Sequence, residues 1–175
     1  LQTVYWLEEE AVREWNQPSN LLLLKKTRKD VMKILESQDS TFELASESEV
    51  FKVTDSGIGA VKTQFLREQL FEGPKGEKIR IQYDILSERI YKIILFSEGN
   101  KNNWDCNLAA ELTTAFSEDC NVSAQMIAED ISKKLSGLQG LSIQGYSFTD
   151  LDGLILTDED NAAQFVILRG TFWVS

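Results

Sequence analysis

Residues 79–96 read Ile-Arg-Ile-Gln-Tyr-Asp-Ile-Leu-Ser-Glu-Arg-Ile-Tyr-Lys-Ile-Ile-Leu-Phe. Ile79, Ile81, Tyr83 and Ile85 alternate with polar residues, the period-2 signature of a strand with one buried face. Ile90 and Lys92 alternate again before the apolar run Ile93-Ile94-Leu95-Phe96. A helix turns about 100° per residue and would scatter these positions around its axis. Upstream, Thr41-Phe42-Glu43-Leu44 and Glu49-Val50-Phe51-Lys52-Val53 alternate in the same way, then break at Asp55-Ser56-Gly57. Over 60–71 two patterns compete. Phe65, Gln69 and Leu70 have helical spacing, whereas Val61, Thr63 and Phe65, followed by Gly73-Pro74-Lys75-Gly76, suit a strand entering a hairpin. The strand is the expectation, which makes residues 41–97 an antiparallel meander of four or five strands.

Helical periods lie on either side of the meander. Val4, Leu7, Ala11 and Trp15 recur at three-to-four spacing over 3–16, and Pro18 stops that helix. Ser19 or Asn20 is positioned to cap a second helix over 20–37, with Leu21, Leu24, Val31, Ile34 and Leu35 turned inward. Residues 1–38 therefore read as a helical arm or hairpin. Asn102 or Asn103 opens a third helix to about 118, with Trp104, Leu108, Leu112 and Phe116 on one side. Ser123 caps a fourth, where Ile127, Ile131 and Leu135 repeat before Gly137. Residues 141–175 return to strands: Leu141-Ser142-Ile143 into Tyr146 and Phe148, an Asp152-Gly153 turn, Leu154-Ile155-Leu156, then 165–168 and 171–174. Strands in runs, not alternating with helices, predict an α+β fold. It comprises an N-terminal helical pair, a mainly antiparallel β-meander, a central helix pair (102–137) and C-terminal β-strands, packed as one domain over 1–175.

The chain has 175 residues, with 28 acidic against 18 basic side chains, a net charge of −10 and no histidine. The excess of acids opposes nucleic-acid binding, because phosphate is repelled and no counterions are gained from it. Without histidine the commonest general base and the commonest metal ligand are missing. Cys106 and Cys120 are too few for a disulfide scaffold or a zinc site. No apolar run approaches the ~18 residues of a membrane span. The chain opens on Leu1, so a segment preceding it is expected. These features read as intracellular, in cytoplasm or nucleus, with no cofactor, no metal and no catalytic set expected.

Asp55-Ser56-Gly57-Ile58-Gly59 follows the strand-like Phe51-Lys52-Val53-Thr54. It resembles the D-x-G-x-G box of the GHKL ATPases, the gyrase and histidine-kinase superfamily. The resemblance covers five residues and implies that Asp55 would read the adenine amino group while Gly57 and Gly59 lined a nucleotide pocket. No E-x-x-x-N stretch precedes the box and no glycine-rich lid follows it. The plain alternative is a tight turn in which Asp, Ser and Gly satisfy the backbone. Asp150, Asp152, Asp158, Glu159 and Asp160 lie between apolar runs and read as solvated turns, since no EF-hand spacing fits them. Lys25, Lys26, Arg28, Lys29 and Lys33 form the one basic cluster, either a contact for an acidic partner or a solvated helix face.

The remaining signal is apolar. Trp6 and Trp15 are nine residues apart, about half a turn around a helix axis, so one core cannot easily bury both. Tyr5, Trp6, Trp15, Leu22, Leu23, Lys25, Lys26 and Lys29 are therefore the candidate partner-binding residues. The alternative is burial of both helices between two layers. The expected function is a non-enzymatic protein–protein interaction module, a subunit or adaptor in a hetero- or homo-oligomeric complex. The other candidate is a divergent nucleotide-binding domain built on Asp55, Gly57 and Gly59.

Overall fold

A computed structural model describes residues 23–39, 41–55, 62–99 and 102–169. The fold is α+β in one domain: among the described residues it has three helices and an eight-stranded, wholly antiparallel sheet. The elements in chain order are α1 (Arg28–Glu36), β1 (Glu43–Glu47), β2 (Phe51–Asp55), β3 (Lys62–Glu72), β4 (Glu77–Asp84), β5 (Ile90–Ser97), α2 (Cys106–Phe116), α3 (Ala124–Ser136), β6 (Ser142–Ser147), β7 (Asp152–Thr157) and β8 (Ala163–Leu168). The spatial order is β1-β3-β4-β5-β8-β7-β6, with β2 also pairing β3. The long β3 thus carries β1 against its C-terminal half and β2 against its N-terminal half. The competing patterns over 60–71 resolve as a strand. Gly73 N–H donates to the Glu77 carbonyl at 2.8 Å and closes the turn expected there.

Cross-strand register assigns the side chains to faces. On the inner face lie Phe71, Ile79, Ile81, Tyr83, Ile93, Leu95, Phe165, Ile167 and Ile155, in one buried cluster with Leu108, Leu112, Phe116, Ile127 and Ile131 of the helices. Val31 and Leu35 of α1 join that cluster. All three helices therefore cover one face of the sheet. The outer face is divided. Over β3 and β4 it is charged and self-paired: Arg80 reaches Glu68 at 3.4 Å, and Lys78 reaches Glu98 at 2.7 Å and Glu72 at 3.2 Å. Over β5, β8, β7 and β6 it is mixed: Ile94, Phe96, Val166, Leu168, Leu154, Leu156 and Ile143 are interspersed with Lys92, Gln164, Asp152 and Ser147, and Val166 and Asp152 are buried.

Three expectations change. A helix over 20–37 is replaced by extended chain at 24–27 and a helix that begins at Arg28. Leu24 N–H donates to the Ile90 carbonyl at 2.7 Å, and Ile90 N–H donates to the Lys26 carbonyl at 3.0 Å. That segment takes the place beside β5 where β8 ends. Pairing with a strand end outweighs the helical spacing of the leucines, because propensity is weak against a tertiary ladder. The third helix starts later than Asn102 or Asn103, since the Asp105 carboxylate accepts from Asn107 N–H at 2.8 Å and caps α2. Asp152-Gly153 is not a turn. Both residues belong to β7, and the reversal falls at 148–151, where Phe148 N–H donates to the Leu151 carbonyl at 2.8 Å. The proposed helix 3–16 and strand 171–174 lie outside the described residues.

Candidate interaction surface

Among the described residues β6 ends the sheet on one side, and its sequence explains how it is held there. Ser123 Oγ accepts from Met126 N–H at 3.2 Å and starts α3, which runs back across the sheet toward β6. Tyr146, on the inner face of β6, donates its hydroxyl to Asp130 of α3. Lys134 donates to the same carboxylate at 2.8 Å and stands 4.5 Å above the Tyr146 ring. Lys134 and then Tyr146 hold the Asp130 carboxyl below the usual range, while burial, and then Asp130, push the Tyr146 phenol up.

The two ends of the strand are pinned as well. Asp150 accepts from Ser117 Oγ at 3.0 Å and from Glu118 N–H at 2.8 Å, and Asp119 accepts from Thr149 N–H at 3.1 Å. These bonds, led by Thr149, hold the Asp119 carboxyl below its usual range. At the other end Asn161 Oδ1 accepts from Gly140 N–H at 2.7 Å, and Asn102 Nδ2 donates to the Asn161 carbonyl at 2.6 Å. Asp150 is thus a clasp and not a solvated turn acid, and Asp152 is fully buried.

What β6 leaves outward is apolar. Leu141 is 75% exposed and Ile143 70% exposed, against 63% for Met126 on α3. Residues 141–148 carry no Lys, Arg, Asp, Glu or Pro. The opposite edge is protected differently. β1 carries Glu43 and Glu47, pairs Glu47 with Arg67 at 3.4 Å, and shifts register between Leu44 and Ser46. Charge and bulges are the ordinary devices that stop sheet edges from recruiting other chains. Beside the start of β6, Phe96, Leu141, Leu156 and Ala162 line a recess of about 330 Å³.

The expected partner-binding residues fall into three groups. Tyr5, Trp6, Trp15 and Leu22 lie outside the described residues. Leu23 is fully buried and its carbonyl accepts from Arg169 at 3.1 Å, so it is not a surface group. Lys25, Lys26 and Lys29 are exposed, but Lys25 pairs with Glu118 at 3.0 Å and Lys26 stands 6.0 Å over the Phe116 ring. Arg28 reaches Glu88 at 3.4 Å. The basic cluster is thereby largely engaged within the chain.

Asp55 closes β2 opposite Lys62 of β3, so the D-x-G-x-G string lies at the connection of an antiparallel pair; Gly57 and Gly59 are outside the described residues. Among the described residues no group of three or more His, Cys, Asp or Glu side chains is placed to hold a metal, and no helix is long and apolar enough to cross a membrane. Burial, and then Asp105, raise the Cys106 thiol above its usual value, which disfavours the nucleophilic thiolate. No protein-family model matches the chain, and neither a curated protein nor a solved structure matches it.

Proposed function

We propose that the chain is a non-enzymatic intracellular protein–protein interaction module, a subunit or adaptor of a complex, which engages its partner along β6 and the exposed Leu141 and Ile143. One observation supports this reading above the others: an uncharged edge strand that presents Leu141 and Ile143 to solvent. An edge offers a row of main-chain donors and acceptors to an extended segment, and side chains at alternate positions add selectivity. The exposed apolar pair supplies the burial that such a contact needs.

The test compares wild-type protein with Ile143→Lys and with Lys29→Ala in quantitative affinity capture from native extract. A defined set of proteins retained by wild type and Lys29→Ala, and lost with Ile143→Lys, supports the reading. Capture that is the same for all three sinks it. The nucleotide alternative rests on the Asp55–Gly59 string alone, and calorimetry with ATP and Mg²⁺ that gives no heat of binding removes it.

A further inference from the structure

We infer that the partner at this edge is a second copy of the same chain, joined β6 to β6 in antiparallel register about a two-fold axis at Gln144. The inference rests on the interaction reading above and narrows it to one occupant. A closed two-fold contact must be self-complementary, because each residue meets its counterpart's partner. Antiparallel pairing centred on Gln144 sets Leu141 opposite Ser147, Ile143 opposite Gly145 and Ser142 opposite Tyr146, each across the axis. Leu141, Ile143 and Tyr146 then each face Ser or Gly. Gln144 meets Gln144, and two amides can exchange hydrogen bonds with each other.

Gly145 fits this role for an intrachain reason. A Cβ there would lie 2.2 Å from the Gly153 carbonyl oxygen, so the position must stay bare and leaves room for Ile143 of the other copy. The seam also answers the charge problem. Two chains of −10 repel, but residues 141–148 contain no charged side chain, and the two acids hydrogen-bonded to that strand are engaged within the chain: Asp130 by Lys134 and Tyr146, and the buried Asp152 by Ser147 Oγ at 2.6 Å. A contact of seven residues a side is well below the roughly 20–30 a side of a standard-size interface, so association should be weak and depend on concentration.

Sedimentation across a dilution series is expected to show a species of twice the 19.9 kDa chain mass, which dissociates on dilution. Ile143→Lys buries an unpaired charge in the seam and should raise the dissociation constant by about 100-fold; Leu141→Lys should act in the same direction. Both positions are exposed, so the thermal midpoint of each diluted variant should match that of diluted wild type. For register, Gln144→Cys is made with Cys106→Ser and Cys120→Ser and oxidised with glutathione disulfide. It should give a disulfide-linked dimer, because opposed Cα atoms in an antiparallel pair lie within bridging distance. Ser142→Cys in the same background should not link.

A wild-type chain that sediments as a monomer throughout overturns the inference, as does a dimer indifferent to Ile143→Lys or a Gln144→Cys chain that stays unlinked. If the chain is monomeric yet Ile143-dependent capture of another protein persists, self-pairing fails and the interaction reading stands. If that capture is absent too, both fail.

Discussion

Tyr146 and Asp130 show how single side chains tie the edge strand to its helix, and their titration gives the tie a pH signature. The Asp130 carboxyl is held low in the folded chain by Lys134 and Tyr146. A depressed carboxylate adds stability above its unfolded value, near 3.9, and that stability is lost as pH falls through the folded value. Tyr146 is shifted the other way, so its contribution is complete below the unfolded phenol value, near 10, and is lost as pH rises past it. Urea midpoints measured from pH 2 to 11 should therefore fall at both ends. Asp130→Asn should flatten part of the acid limb, and Tyr146→Phe should remove part of the alkaline one. Unchanged limbs in both variants would show that the pair is not coupled to folding.

Elements here are set by caps and close backbone contacts as much as by hydrophobic period. Ser123→Ala removes the acceptor for Met126 N–H and should cost about 1 kcal/mol. Gly145→Ala forces a methyl group against the Gly153 carbonyl and should cost about 3 kcal/mol, seen as a lower denaturant midpoint. A Gly145→Ala chain as stable as wild type would mean that the β6–β7 contact is looser than described. These two positions mark what could be read in advance. Ser123 and Gly137 bracket α3 in the sequence because capping is local chemistry. β4 and β5 were equally plain, since alternation needs no knowledge of neighbours.

Leu23 and Leu24 were not legible, because their extended conformation depends on Ile90, 66 residues away from Leu24 in the chain. Asn102 and Asn103 offer the same capping chemistry in the sequence as Asp105, but in the fold they bind the Asn161 and Lys75 carbonyls. The edge was hidden for a similar reason. Ile143 alternates like any core strand residue, and only the order of strands reveals that, among the described residues, β6 has a neighbour on one side alone. The apolar surplus pointed to a contact surface, but composition could not say which end of the sheet would carry it.

At the scale of the whole molecule, the core is one body that neither half of the chain can build. β5 contributes Ile93 and Leu95, and β8 pairs with it through Ile167 and Phe165, joining residues 74 and 70 positions apart. Trp104 strengthens the junction: its indole N–H donates to the Ala163 carbonyl at 2.9 Å and its ring centroid lies 6.0 Å from that of Phe165. Residues from α1 and β4 enter the same buried cluster as residues from β7 and β8. Such a core should open as a unit. Native-state hydrogen exchange should give one free energy of opening for the most protected amides of β4 and β8 alike. Phe165→Ala, which empties a fully buried ring site, should lower both by about 3–5 kcal/mol. If β8 amides alone lost protection while Ile79 and Ile81 kept theirs, the sheet would divide at the β5–β8 seam into two separately stable units. The shared cluster of Ile93, Leu108 and Phe165 argues for the common fall, because none of the three is covered without the other halves of the sheet and helix layers in place.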